Sequence, residues 1–385
     1  MPLSPGLHDG RTEMSDRPLA ILNWPRPLNF LAGLLSKDTQ IQSYADEMSE
    51  PEWGHFLHLV VERHRVAPMV SLAAHEKSIA LPDFVHHAIR LEARENGIAA
   101  IEQRHESLRL RDALEAVGIA PVWLKGWPLA EMLYGELGLR HSNDIDILVP
   151  ARDRVKAASC LIKAGYVAAE EHRTRARLLD RRAVEVECKD VQFYKPDSHL
   201  IVELHWQTSH FPGWPNLMDL DEEPVPSRND DVIVPGPIGQ LIYLSGHAVQ
   251  HIFSRLKWLL DVARLADQRG AVQLEADLAR AEGVGAGRAT RLALNLAGRV
   301  FGCDLPSEAY RLRGAEARWA DRMITDIADP RTMPGELKAR LGFYAWHLRM
   351  AEGPAQIGSV LRYACWRHIR LGAAVLIDHL TGRKT

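Results

Sequence analysis

The sequence predicts an α+β protein, with an α/β unit at about residues 119–235 lying between helical segments on either side. Three observations carry this. Apolar residues recur at helical spacing before residue 118 and again after residue 237. Between those stretches SNDIDILVP (142–150) alternates strictly, as a half-buried strand does. Two further strand-like runs, AVEVECKDVQFYK (183–195) and HLIVELHW (199–206), flank Pro196-Asp197-Ser198, a sequence suited to a hairpin turn.

The elements follow in order. Residues 1–18 lack a hydrophobic stretch and read as a disordered leader without a signal peptide. Residues 19–118 form the N-terminal helical segment. Helical spacing runs from Leu28 to about Ala74, interrupted at Pro51, and then from Pro82 to Val117 as one long helix or two joined ones. Gly118 is placed to end it. IAPVWLKG (119–126) is a short apolar strand, followed by a helix from Pro128 to about Tyr134. After the alternating strand, residues 151–166 make an amphipathic helix ended by Gly165, and the hairpin follows.

Residues 211–237, rich in Pro, Gly, Asp and Glu, read as an irregular surface connection. The C-terminal helical domain, 236–385, then has helices over 238–268, 286–300, 308–327 and 334–350. The apolar run 371–380 is too short to span a bilayer and contains Asp378 and His379, so a packed terminal helix is expected there.

Composition sets the class. Hydrophobic residues make up 46% and charged residues 25%, an ordinary globular balance with material for more than one core. A net charge of −3 lacks the global positive charge of a polynucleotide-binding chain. Four cysteines without a CxxC pair suit reduced thiols in a cytoplasmic protein.

The chemistry lies in the strands. Residues two apart in a strand share a face, so Asp144 and Asp146 point one way while Ile145, Ile147 and Val149 point the other. Two carboxylates that close repel each other, and a divalent cation removes the penalty; hard Mg²⁺ prefers such oxygens together with substrate phosphates. By the same periodicity Glu203 and His205 leave the face occupied by Leu200, Val202 and Leu204. If that strand lies beside the Asp144 strand, three carboxylates converge, the number that two-metal phosphoryl or nucleotidyl transfer requires. The competing reading of Asp-x-Asp alone is the solvated face of a surface strand. Lys125-Gly126 upstream and the apolar opposite face favour the metal.

Farther along, His247 and His251 are four apart and share a helical face with Arg255, Trp258 and Asp261. A zinc pair is disfavoured because the glutamate of HExxH is absent. Two readings stay open. Either the histidines reach nucleotide or acceptor while Trp258 and Asp261 hold an interface, or all of them are interface residues.

VWLKGWPLAEMLYGELGLRHSNDIDILVP (122–150) resembles the signature of a bacterial nucleotidyltransferase family, a branch of the polymerase-β-like superfamily. VELHW and the helix LSGHAVQHIFSRLKWLLDVARL also look like its downstream motifs, and the resemblance covers roughly Pro121 to Ala266. It implies a polymerase-β-like core of mixed sheet and helices. Asp144 and Asp146 would be metal ligands, and Glu203 the third carboxylate and general base. Gly126 matches the glycine of a nucleotide-binding turn, although the usual Gly-Ser is here Gly126-Trp127. Lys125 supplies phosphate charge in this reading. Arg140 is either a phosphate clamp or a surface arginine beside a turn.

The expected activity is transfer of a nucleoside monophosphate, AMP from ATP or the equivalent from another NTP, with two Mg²⁺ ions and release of pyrophosphate. The acceptor would be a hydroxyl or phosphate on a small molecule, peptide or protein, in preference to a polynucleotide. The alternatives are a catalytically silent nucleotide-binding scaffold of a biosynthetic complex, and a toxin-type enzyme that modifies RNA or protein.

Overall fold

The computed structural model describes residues 22–37, 41–181, 184, 188–196, 198–209, 214–229, 231–312, 314–328 and 337–365. The expected leader and the apolar run 371–380 lie outside them. The order begins with α1 (Arg26–Leu35), α2 (Gln42–Asp46) and α3 (Glu50–His58). Pro51 does not break a helix; it sits in the first turn of α3, where its missing N–H costs nothing, behind a Ser49/Glu52 capping box. A π-helical turn, Leu59–Arg63, links α3 to α4 (Ala67–Glu76). Helix α5 (Asp83–Glu115) is continuous over 33 residues, and Gly118, at φ 71°, turns the chain after it.

The α/β unit follows: β1 (Val122–Trp123), α6 (Trp127–Tyr134), β2 (Asp144–Leu148), α7 (Arg154–Lys163), β3 (Val167–Ala168), α8 (Arg173–Arg177), β4 (Asp190–Tyr194) and β5 (Ile201–His205). Its five strands pair in the order β1-β2-β5-β4-β3, so the sheet is mixed. Only β2 and β5 run parallel, and their register sets Asp146 opposite Glu203 and Leu148 opposite His205. The expected hairpin joins β4 to β5 antiparallel. Its first strand is shorter than the 183–195 run suggested. The Cys188 amide donates to the Val184 carbonyl, a helix-like bond, and the ladder begins only at Asp190.

One face of the sheet is apolar. Ile145, Ile147, Val191, Phe193, Val202 and Leu204 are buried with Leu110 and Leu114 of α5 and Ala157 and Leu161 of α7. The opposite face carries the charges. A small hairpin, β6 (Val225–Pro226) with β7 (Ile233–Val234), lies in the stretch expected to be irregular.

The chain then returns to helices: α9 (Pro237–Gln250), α10 (Leu256–Gly283), α11 (Gly287–Phe301), α12 (Ser307–Tyr310), α13 (Glu316–Ala328) and α14 (Leu337–Met350), with 354–365 also helical. The single helix expected over 238–268 is two. Ile252 and Phe253 both adopt φ 51°, and the Phe253 amide closes back on the Ala248 carbonyl at 2.8 Å. This is a helix-ending turn of Schellman type without its usual glycine. Burial of the Phe253 ring, fully shielded and edge-on to Trp346, offsets the strain.

The two helical segments that the sequence separates share one core. Trp24, Phe30 and Phe56 pack in the same cluster as Leu259, Leu296 and Trp346. The Trp24 indole donates to the Ile324 carbonyl at 2.7 Å, and His64 Nδ1 accepts the Leu256 amide at 3.2 Å. No helix among the described residues is long and apolar enough to cross a membrane.

Candidate active site

The loop before β2 is held from outside. Gly138 lies so close to α5 that a Cβ there would come within 3.0 Å of the Gly97 Cα. Asn96 and Gln103 of α5 donate to the carbonyls of Gly138 and Ser142, at 2.6 and 3.0 Å. These contacts fix the start of the strand that carries the aspartates. Ser142 then donates from its hydroxyl to the Asp144 carbonyl at 3.0 Å.

On the polar face, Asp146 and Glu203 are neighbours across the parallel ladder, and His205 stands between them. His205 Nε2 is 3.0 Å from Asp146 Oδ1 and 3.3 Å from Glu203 Oε2. Asp146 is wholly buried, and its Oδ2 accepts no hydrogen bond. The Lys125 ammonium lies 3.2 Å from that oxygen and 3.5 Å from Asp144 Oδ2. The sequence puts His205 on the polar face of its strand, where an acceptor or interface role was expected of it. It is instead enclosed in the carboxylate cluster, because the parallel register draws its strand against β2.

The electrostatics follow from this crowding. Burial, and then the Asp144 charge, push the Asp146 carboxyl up, against the pull of Lys125 and His205. Burial also opposes charge on Glu203, but His205, Lys125 and Lys189 prevail and hold it below the usual carboxylate range. For Lys125, burial is outweighed by Asp144 and Asp146, which raise it well above an ordinary lysine.

Two members of the cluster were missed. Asp190, opposite His205 in β4, is bound by Lys189 at 2.7 Å and by Arg175 at 2.9 Å, and lies 3.9 Å from His205 Nδ1. The Cys-Lys-Asp sequence breaks the alternation of its run just where these residues enter, which hides them. Face counting from Gln192 back to Asp190 is the one signal that could have found Asp190.

Asp146, Glu203 and His205 each offer a ligand atom, all within 4.8 Å of one another. The buried Asp146 oxygen without a hydrogen bond suits a divalent cation. Carboxylate donors favour Mg²⁺, and the imidazole among them also suits Mn²⁺ or Zn²⁺.

The carboxylates form one wall of a cavity of about 520 Å³. Lys125, Asp144, Asp146 and Glu203 line it together with His247, His251 and Trp258. The two histidines remain close to each other although α9 ends between them, with ring centroids 4.7 Å apart, and His251 stacks on Trp258 at 4.5 Å. Burial drives both histidines down, His251 to about 3, so each ring is neutral.

Arg140 and Asp261 are elsewhere. Arg140 Nε donates to both Asp261 oxygens, at 3.0 and 2.9 Å, in a buried pair that Tyr134 completes at 2.8 Å. The guanidinium expected at the phosphates therefore joins the α/β unit to α10. Gly126, at φ 81°, begins α6, but Pro128 in its first turn removes one amide donor and the Trp127 indole is turned inward to Ser107. Tyr243, Arg65, Arg255 and Lys257 also line the cavity. Arg255 was already on the histidine stripe and Tyr243 extends it at the same spacing, whereas Arg65 and Lys257 had no local pattern to announce them.

A family model described as an uncharacterised nucleotidyltransferase matches residues 49–302. No curated protein and no solved structure matches the chain.

Proposed function

The chain belongs to the uncharacterised nucleotidyltransferase family, and from that premise we propose that it is a metal-dependent enzyme transferring a nucleoside monophosphate, AMP from ATP, to a hydroxyl or phosphate of a small-molecule, peptide or protein acceptor. The observation that supports this best is the parallel register setting Asp146 against Glu203, with Asp144 on the same face and a buried Asp146 oxygen that accepts no hydrogen bond. Asp144, Asp146 and Glu203 would hold the cation, Mg²⁺ in this reading, with His205 beside them. A cation there supplies positive charge to the phosphates and to the attacking oxygen.

The remaining roles belong to the chain. The acceptor oxygen bonds to the α-phosphorus, the α–β phosphoanhydride bond breaks, and pyrophosphate leaves. Glu203, kept ionised by its cationic neighbours, is in the charge state of a metal ligand, and the same depression leaves it only a weak base for the acceptor proton. Lys125 lies against the Asp144 and Asp146 carboxylates and balances their charge. A polymerase-β-like ancestry for the mixed sheet belongs to the same proposal.

One observation favours a second reading, a silent nucleotide-binding scaffold. Lys125 already neutralises Asp144 and Asp146 from 3.5 and 3.2 Å. The two readings separate in one experiment. The protein is incubated with Mg²⁺ or Mn²⁺ and each labelled NTP, beside the Asp144→Ala/Asp146→Ala double variant. Pyrophosphate release and self-labelling that need the divalent ion and fall at least about 100-fold in the variant support the enzyme. Nucleotide binding without release in either protein supports the scaffold.

A further inference from the structure

A group of basic side chains shares the cavity with the carboxylates, and among the described residues it is left without ion-pair partners. Arg65, Arg255 and Lys257 line the same cavity as Asp144 and Glu203. Among the described residues, none of the three has a carboxylate within ion-pair distance, whereas Arg140, Lys125 and Lys189 all do. Arg255 stands over the Trp258 ring, 5.8 Å from its centroid, and Lys257 Nζ donates only to the His141 carbonyl at 3.3 Å. Asp326 reaches the same cavity but is engaged by Arg322 at 2.8 Å.

The local geometry deepens the imbalance. Arg255 caps α10 and Lys257 lies in its first turn, where the helix dipole is already positive and no acidic residue is present. Like charges at a positive helix end repel one another, burial and the neighbouring cations push the Lys257 ammonium well below an ordinary lysine, and an anion relieves both effects. Arg65 itself holds φ 53° and follows a π-helical turn, and Arg255 follows the left-handed pair Ile252-Phe253. Two strained connections thus present arginines to one cavity, as strained backbone often does at ligand sites.

The other phosphate-binding elements are depleted. Arg140 is committed to Asp261, Pro128 removes a donor from the Gly126 turn, and Lys125 is occupied by two aspartates. We propose that Arg65, Arg255 and Lys257 form the wall that binds the triphosphate tail of the nucleotide. The assignment of the anion to a nucleotide rests on the nucleotidyltransferase reading; the anion site itself does not.

The test uses the full chain in EDTA, so that no divalent ion takes part. Binding of inorganic tripolyphosphate is titrated by calorimetry for the wild type, for Arg65→Gln/Arg255→Gln, and for Arg152→Gln/Arg311→Gln, which removes the same charge from exposed positions. The expected result is at least a tenfold loss of affinity in the first variant and little change in the second. ATP should displace the tripolyphosphate and AMP should not. Unchanged affinity in Arg65→Gln/Arg255→Gln, with its circular dichroism retained, overturns the proposal. So does ATP binding that leaves tripolyphosphate in place. Because no turnover is measured, loss of the enzyme reading and loss of this one are separate outcomes.

Discussion

Asp261 shows how much one buried group can hold. It receives Arg140 and Tyr134, is wholly shielded, and has no solvent to fall back on if either partner is lost. Asp261→Ala would leave the Arg140 charge buried and unpaired, a loss of about 3–5 kcal/mol that urea unfolding would register. Unchanged stability would contradict the pairing. Glu203→Gln should keep the fold, because the isosteric amide still offers one oxygen to His205 and the contact with Gln192 is long, at 3.5 Å, while metal-dependent pyrophosphate release falls by at least about 100-fold.

His64 gives a pH signature. Burial, reinforced by nearby arginines, holds its imidazole down to about 3, while the unfolded chain titrates near 6.5. Below about 6.5 the unfolded chain takes up a proton that the folded chain refuses, so stability falls as pH drops from there toward 3. His64→Asn keeps an acceptor for the Leu256 amide without the titration. Its urea midpoint should fall less between pH 6 and pH 4 than that of the wild type. Parallel curves would remove His64 from the account.

At the level of elements, the carboxylate strands were legible because alternation is local. Asp144 and Asp146 could be assigned to one face from five consecutive residues, and Glu203 was conspicuous as a charge inside an apolar strand. Their convergence was not legible, since it depends on a parallel register between segments nearly sixty residues apart. The end of α9 was invisible for another reason. Chain reversals usually carry glycine, and here Ile252 and Phe253 reverse the chain because tertiary burial outweighs backbone preference.

Arg65 belongs to the same class of strained position and can be tested as such. Arg65→Gly removes the left-handed penalty, so thermal stability should hold or rise by roughly 1 kcal/mol while tripolyphosphate binding weakens. A drop in both would mean that the arginine supports the fold and not a ligand.

Across the whole molecule, the family match begins at residue 49, yet α1 ends before it and lies deep in the shared core. Phe30, Leu31 and Leu34 are fully shielded, and burying each contributes about 2 kcal/mol, a sum comparable with the stability of a typical domain. A chain beginning at residue 49 should therefore lose cooperative thermal unfolding and be cut rapidly by protease. Full resistance would show that the first helices are dispensable.

The same connectivity governs when the cavity comes into being. The carboxylates are brought together only after the crossover from β2 to β5 has folded, and the facing cations lie at residues 65 and 255–257. On the ribosome, a chain that has reached β5 has one wall and no roof. Only when α10 emerges and docks against the turn that carries Arg65 is the lining of the cavity complete. On the proposed reading, a partly made chain has the carboxylates without the basic side chains that would meet a triphosphate.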